Sequence, residues 1–347
     1  MSSPPVTTAA PDLDICLAPL RGVTGCVFRT VFCRHFGGLS RALAPFIPTV
    51  HGARVKPSVL RELLPEQNRA LPLIPQVIGK DPADLTVMIN ALRDLGYRRV
   101  DLNAGCPWPM VARKGRGAGL LADADNLRRM LDAGCAAMPD GFSIKVRLGL
   151  KTPDLLVQRM ELLNAYPLCE VTLHPRTAQQ MYEGHADVQA FDGCRKLCRH
   201  PMVYNGDIRT AADGEVLRAL FPDVRHWMIG RGLLADPFLA ERLRGHTAPR
   251  EMRRVQAFLD DLLAAVCAEA HGEKPALGRL KELWGYLAPS LCRDGVLWKQ
   301  IRICHRIDEY RRTVDGWLGR NPVWVEVEDG LGPRRAYVPG LAYSGKI

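Results

Sequence analysis

Over roughly the first 240 residues of this 347-residue chain, short apolar runs alternate with amphipathic stretches eight times, and few folds accommodate that alternation. The spacing predicts strands over Ile15–Leu20, Leu39–Phe46, Leu73–Gly79, Val100–Gly105, Phe142–Gly149, Cys169–Arg176, Pro201–Ile208 and His226–Leu233. The intervening helices carry their own start and stop signals. Asp81 is a natural N-cap, Pro82 suits the first helical position, Leu85, Met88, Ile89, Leu92 and Leu95 share one face, and Gly96 terminates the run. A second capped, amphipathic stretch spans Asp123 to Met138. Eight strand-helix units in about 230 residues fit an α/β fold of the (β/α)8 TIM-barrel kind better than an open doubly wound sheet.

Past Pro249 the strand signal stops. Helical patterns over Met252–His271, Gly278–Leu287 and, after a break at Pro289, Leu297–Arg312 predict a smaller all-helical domain. The expected organisation is a flexible N-terminus over 1–13, a barrel over 14–245, helices over 250–316 and a tail or edge hairpin over 317–347. The third predicted helix sets Lys299, Arg302 and Arg306 on one face, which is either a solvated face or a contact for an anionic partner.

Composition narrows the function. Hydrophobic residues at 47% and charged residues at 24% exclude a largely disordered chain. No apolar run is long enough for a membrane span and the N-terminus does not read as a signal peptide, so the cytoplasm is expected and a membrane is not. Eleven cysteines, an odd number scattered over the whole length, read as reduced thiols; their spacing suits no structural metal. The net charge of +10 has the sign expected of a protein that meets a polyanion. Residues 241–347 hold 18 Lys and Arg against 14 Asp and Glu, leaving 29 against 23 for the barrel, so a basic surface has to span both parts.

The chemistry of such a barrel sits at the C-terminal strand ends. Those ends read Ala18-Pro19, Gln76, Asn103 to Cys106, Lys145 with Arg147, His174 with Arg176, Asn205-Gly206-Asp207, and Gly230-Arg231-Gly232. Cys106 is held on a Gly-Pro turn over the mouth. A free thiol, with a pKa of about 8.5, serves as a nucleophile if that pKa is depressed and as a proton donor if it is left alone, and the sequence leaves both open. The two glycine-bearing turns after the seventh and eighth strands, the second with Arg231, favour a phosphate-bearing ligand. Lys145 supplies a charge able to stabilise a reduced flavin ring, and Gln76 and His174 supply hydrogen-bonding groups for the edge of a heterocycle. There is no Walker loop, and no Gly-x-Gly-x-x-Gly follows a strand.

In order, the blocks are Leu17-Ala18-Pro19-Leu20, Gln76-Val77-Ile78-Gly79, Asp101-Leu102-Asn103-Ala104-Gly105-Cys106-Pro107, Lys114-Gly115-Arg116-Gly117-Ala118-Gly119-Leu120, Lys145-Val146-Arg147, His174-Pro175-Arg176-Thr177, Asn205-Gly206-Asp207 and Ile229-Gly230-Arg231-Gly232. This series resembles the tRNA-dihydrouridine synthase family over roughly residues 14–310. Arg279-Leu280-Lys281 with Trp284, Tyr286 and Leu287 is similar to the family's C branch, which acts at position 16 of the D-loop. The resemblance implies FMN across the barrel mouth, NADPH as reductant, hydride transfer to C6 of a uracil in tRNA, and protonation of C5 by Cys106. It further implies that Pro19, Gln76, Lys145, His174, Asn205, Gly206, Asp207, Gly230 and Arg231 hold FMN, while Asn103, Arg147 and Arg176 meet the substrate. Lys299, Arg302 and Arg306 are the candidate tRNA contacts of the helical domain. A monomer without a protein partner is expected. Two alternatives remain open: a small-molecule FMN-dependent dehydrogenase of the dihydropyrimidine or dihydroorotate type, and a noncatalytic tRNA-binding protein.

Overall fold

A computed structural model describes residues 13–52 and 54–325. The expected N-terminal segment, except for Leu13, and the tail beyond Val325 lie outside the described residues. Ten strands form one parallel sheet: β1 (Asp14–Leu17), β2 (Arg41–Leu43), β3 (Ile47–Pro48), β4 (Leu73–Ile74), β5 (Gln76–Ile78), β6 (Val100–Ala104), β7 (Phe142–Gly149), β8 (Glu170–Thr177), β9 (Met202–Tyr204) and β10 (His226–Ile229). β2 pairs with β4 while β3 pairs with β5, so two adjacent staves are each interrupted once and the sheet closes on itself with eight staves. Pro75, which has no N–H to give a ladder, separates β4 from β5. The predicted strand Leu73–Gly79 is therefore observed in two pieces, while the predicted Leu39–Phe46 holds only the first piece of its stave, the second, Ile47–Pro48, lying beyond the predicted end.

The helix signals act as expected at Pro82–Asp94 and Ala124–Ala137, where the Asp81 and Asp123 carboxylates accept from Asp84 N and Asn126 N. The foot of the barrel is pinned by charge. Arg41 bonds Asp14 at 2.8 Å and Glu170 at 2.8 Å, Arg99 bonds the second oxygen of Glu170 at 2.8 Å, and His226 bonds Asp14 at 2.9 Å. The open end is left to function.

Four helices follow the barrel: Met252–Glu269, Glu273–Leu291, Val296–Ile303 and Ile307–Leu318. The first docks on the Cys26–His35 helix through Phe258, whose ring lies 6.0 Å from Phe28, 6.0 Å from Phe32 and 5.3 Å from Phe36, and through His35 to Asp261 at 2.8 Å. Two expectations need correction. The second helix runs through Pro289, which cannot donate to the carbonyl four residues back, and ends two residues later at Leu291, so the proline weakens the last turn instead of preceding it as a break. The predicted Leu297–Arg312 helix is two helices. Lys281 Nζ donates to the carbonyls of Arg302 and Cys304, and the Glu309 carboxylate takes the amides of His305 and Arg306, so a partner distant in sequence ends one helix and a local cap starts the next. Beyond Leu318 the chain folds back: Trp324 packs edge-on against Phe238 at 6.1 Å and Val325 N donates to Ser290 O. Among the described residues no helix is long and apolar enough to cross a membrane.

Removing Arg41 strips one partner from each of two carboxylates at the foot, so Arg41→Met is expected to lower unfolding stability by about 3 kcal/mol in urea titration. Asp14 and Glu170 both titrate below their ordinary values of 3.8 and 4.5, chiefly through hydrogen bonds to His226 and Arg41 that outweigh burial. Their contribution is complete above those ordinary values and disappears as pH falls through the folded ones, so the Arg41→Met deficit should shrink in acid.

Candidate active site at the barrel mouth

Strand ends and the helical domain together enclose a cleft of about 1020 Å3. Its floor and barrel wall include Pro19, Gln76, Asn103, Cys106, Lys145, Arg147, His174, Asn205, Gly206, Asp207, Gly230 and Arg231, and its helical wall includes Lys281, Tyr286, Trp298, Lys299 and Arg302. All but two of the sequence-predicted site residues therefore line one space. The exceptions are Arg176 and Arg306. Arg176 is 1% exposed and fully engaged: it donates to the carbonyls of Glu183 and Gly184, to Asp207 at 2.5 Å and to His174 at 3.0 Å. It holds the wall from behind and does not reach the cleft. Arg306 starts the final helix, pairs with Asp308 at 3.0 Å and points to solvent, because the break after Ile303 takes it off the face shared by Lys299 and Arg302.

Cys106 sits on the turn after β6 and lines the cleft. Asn103 Oδ1 accepts from the amides of Gly105 and Cys106, at 3.1 and 2.8 Å, while Ala118 N donates to Cys106 O at 3.0 Å. Gly117 explains the Lys-Gly-x-Gly-Ala block. It has φ +56, and a Cβ there would meet the Cys106 backbone oxygen and Cβ at 2.8 Å. Burial is the largest influence on the Cys106 thiol and raises its pKa above 9.0 despite Arg147, Arg21 and Lys145. The choice left open by sequence is thus resolved toward a thiol at neutral pH.

Positive charge dominates the mouth. Lys145 forms no hydrogen bond or ion pair among the described residues, and burial, then Arg147, pushes it down to about 8. His174 is held neutral by burial and by Arg147, Lys145 and Arg176. Because the Arg176 guanidinium can only donate, His174 Nε2 is the acceptor and the ring proton lies on Nδ1. Asp207 accepts from Arg176 and from Arg231, the latter at 2.9 Å.

Three residues of this wall escaped sequence reasoning. Arg209 lines the cleft, its Nε is buried with no partner among the described residues, and burial followed by Arg231 pushes it down to about 10. Nothing but its place after Asn205-Gly206-Asp207 flagged it. The neighbouring carboxylate of Asp213 is occupied by the Arg209 and Thr210 amides. Three guanidiniums, Arg176, Arg209 and Arg231, therefore stand against two carboxylates, Asp207 and, beside Arg209, Asp213, which leaves positive charge in excess. Tyr182 lies under Arg231 at 4.7 Å and Arg147 at 5.4 Å. Trp108, on the turn two residues after the thiol, is 37% exposed.

A barrel with a cationic corner and a protonated thiol at its mouth is built to hold a phosphate-bearing ligand beside a group able to donate a proton. Residues 16–279 match the family described as dihydrouridine synthase (Dus). A tRNA-dihydrouridine(16) synthase of Cupriavidus necator is 31% identical over 321 residues, covering 87% of this chain and 97% of that protein. Its namesake from Ralstonia nicotianae is 31% identical, covering 77% and 87%. The chain belongs to the dihydrouridine synthase family. Among solved structures, an old yellow enzyme homologue from Zymomonas mobilis superposes with a TM-score of 0.51 at 10% identity, covering 70% of this chain and 91% of that one. A morphinone reductase gives 0.50 at 12%, covering 72% and 90%. At such identities these two share the barrel fold.

Alkylation of Cys106, followed by mass spectrometry of its peptide, should become fast only above pH 9.0. A fast reaction at neutral pH would mean a thiolate.

Proposed function

We propose that this chain reduces a uridine of the tRNA D-loop, at position 16, to 5,6-dihydrouridine, using FMN held across the barrel mouth and NADPH as reductant. The observation that carries the reading is the pairing, in one cleft, of a half-buried protonated thiol with cations that lack enough carboxylates to neutralise them. The names of the Cupriavidus necator and Ralstonia nicotianae relatives support position 16.

The residues present fit FMN. The excess positive charge at Arg176, Arg209 and Arg231 suits a phosphate monoester, with Asn205, Gly206 and Gly230 on the adjoining turns and Asp207 orienting Arg231. Lys145, short of any partner, fits the electron-rich end of the ring, and Pro19, Gln76 and the His174 Nδ1–H fit its face and edges. Bound there and reduced by NADPH, FMN would supply a hydride to C6 of the uracil. Cys106 Sγ gives its proton to C5 and the resulting thiolate regains one from solvent. Asn103 and Arg147 hold the pyrimidine. Arg147 is itself fixed by donation to the carbonyls of Thr177 and Met181, at 2.9 and 2.8 Å.

A uracil stacked within tRNA has to be extruded to reach the thiol, at a cost of a few kcal/mol, and contacts to the phosphate backbone offset that cost. Lys281, Arg293, Lys299 and Arg302 on the helical wall suit this task. We assign the protein to the cytoplasm, acting as a monomer.

The direct test is incubation of unmodified tRNA with the protein, FMN and NADPH. A gain of two hydrogen masses at uridine 16 supports the reading, and no gain refutes it. Cys106→Ala is expected to keep the yellow colour and lose most turnover. Arg209→Met should weaken FMN binding by about tenfold, as for a lost hydrogen bond to a charged group, while riboflavin, which has no phosphate, binds unchanged. Equal losses for both flavins would remove the phosphate role. Binding of tRNA should weaken steeply as salt rises.

A further inference from the structure

Behind the cleft lies a chain of hydrogen bonds whose direction is fixed by the backbone. The amides of Gly105 and Cys106 can only donate, so the side-chain atom of Asn103 that faces them is its oxygen. Asn103 Nδ2 is then turned to Gln76 and donates to Gln76 Oε1 at 2.8 Å. Gln76 Nε2 in turn donates to Asp101 Oδ2 at 2.7 Å, and Ser143 Oγ donates to Asp101 Oδ1 at 2.9 Å. All four side chains are buried, with Gln76 at 0% exposure, so no solvent is at hand to replace a lost partner.

We infer that Asp101 is a positioning residue: as the terminal acceptor of this chain it holds the Gln76 and Asn103 amides so that each keeps its second N–H for the cleft. Resting on the function proposed above, this assigns both amides a single role, donation. The edges they meet must be carbonyl oxygens or ring nitrogens with a lone pair. A uracil O4 satisfies that requirement, and the amino group at the same position of cytosine does not.

Asp101 itself makes no contact with the cleft. Burial raises its carboxyl to about 7, with Glu170 adding to the rise and Gln76, Ser143 and Lys145 opposing it. Both ionisation states accept from Gln76 Nε2. When protonated, the carboxyl can donate to Ser143 Oγ, whose own proton can turn to Val100 O, 3.5 Å away. The position of the amides is thus independent of that titration, which distinguishes positioning from proton transfer.

The test compares Asp101→Asn, which can still accept from Gln76, with Asp101→Leu, which cannot. The expected result for Asp101→Asn is turnover within about threefold of the parent and an unchanged pH profile. Asp101→Leu should lower kcat by about tenfold to a hundredfold, the effect of one buried donor left without its acceptor, alter the visible spectrum of bound FMN and leave tRNA affinity unchanged. Asp101→Asn as impaired as Asp101→Leu, a limb near pH 7 lost in Asp101→Asn, or full activity in Asp101→Leu would each overturn the inference.

A second pair of variants guards against misfolding of Asp101→Leu. Gln76→Glu sets two acceptors against each other, and adding Asp101→Asn restores a donor between them, so the double variant should be more stable to urea than Gln76→Glu alone. No recovery would overturn the inference. Because this readout needs no flavin or tRNA, it retains its meaning even if the unmodified protein fails to reduce tRNA.

Discussion

The mouth of the barrel gathers more positive charge than it can neutralise. Arg176, Arg209 and Arg231 stand against the carboxylates of Asp207 and Asp213, and Lys145 and Arg147 add to the same mouth, with Asp101 beneath. Buried cations of this number are costly unless something anionic joins them. The fold tolerates them by tying Arg176 and Arg147 to backbone carbonyls and by keeping His174 neutral. Stability at the opposite end, where Arg41 and Arg99 meet Asp14 and Glu170, supports that concentration of charge. The two ends of one barrel thus divide the labour, with compensated charge at the foot and uncompensated charge at the site.

Burial then sets the chemistry of each group. The same desolvation that lowers Lys145 raises Cys106, so the cleft contains a lysine ready to face an electron-rich ring and a thiol that keeps its proton. Asn103 joins the two halves. It fixes the turn that carries Cys106 through Oδ1 and joins the Gln76–Asp101 chain through Nδ2.

Much of this was legible in the sequence because its causes are local. Period, caps and glycine turns are written within a few residues, and so the eight staves and the strand-end residues from Pro19 to Arg231 could be placed. What could not be read depends on partners distant along the chain. The interruption after Ile303 is made by Lys281, reaching across from the preceding long helix, and it removes Arg306 from the face of Lys299 and Arg302. Arg176 stands beside His174 in the strand, yet Glu183, Gly184 and Asp207 claim it. Arg209 has no motif of its own, and its significance appears only when the charges around Asp207 are counted.

The account reduces to two sources of hydrogen on either side of one pyrimidine: a hydride from the cofactor and a proton from a thiol in exchange with solvent. A single turnover in heavy water separates them when FMN is replaced by 5-deaza-FMN reduced beforehand in ordinary water, because its transferable hydrogen sits on carbon and does not exchange with solvent. The account predicts one deuterium at C5 of the reduced uridine and none at C6. Deuterium at both carbons, or at C6 alone, would contradict it.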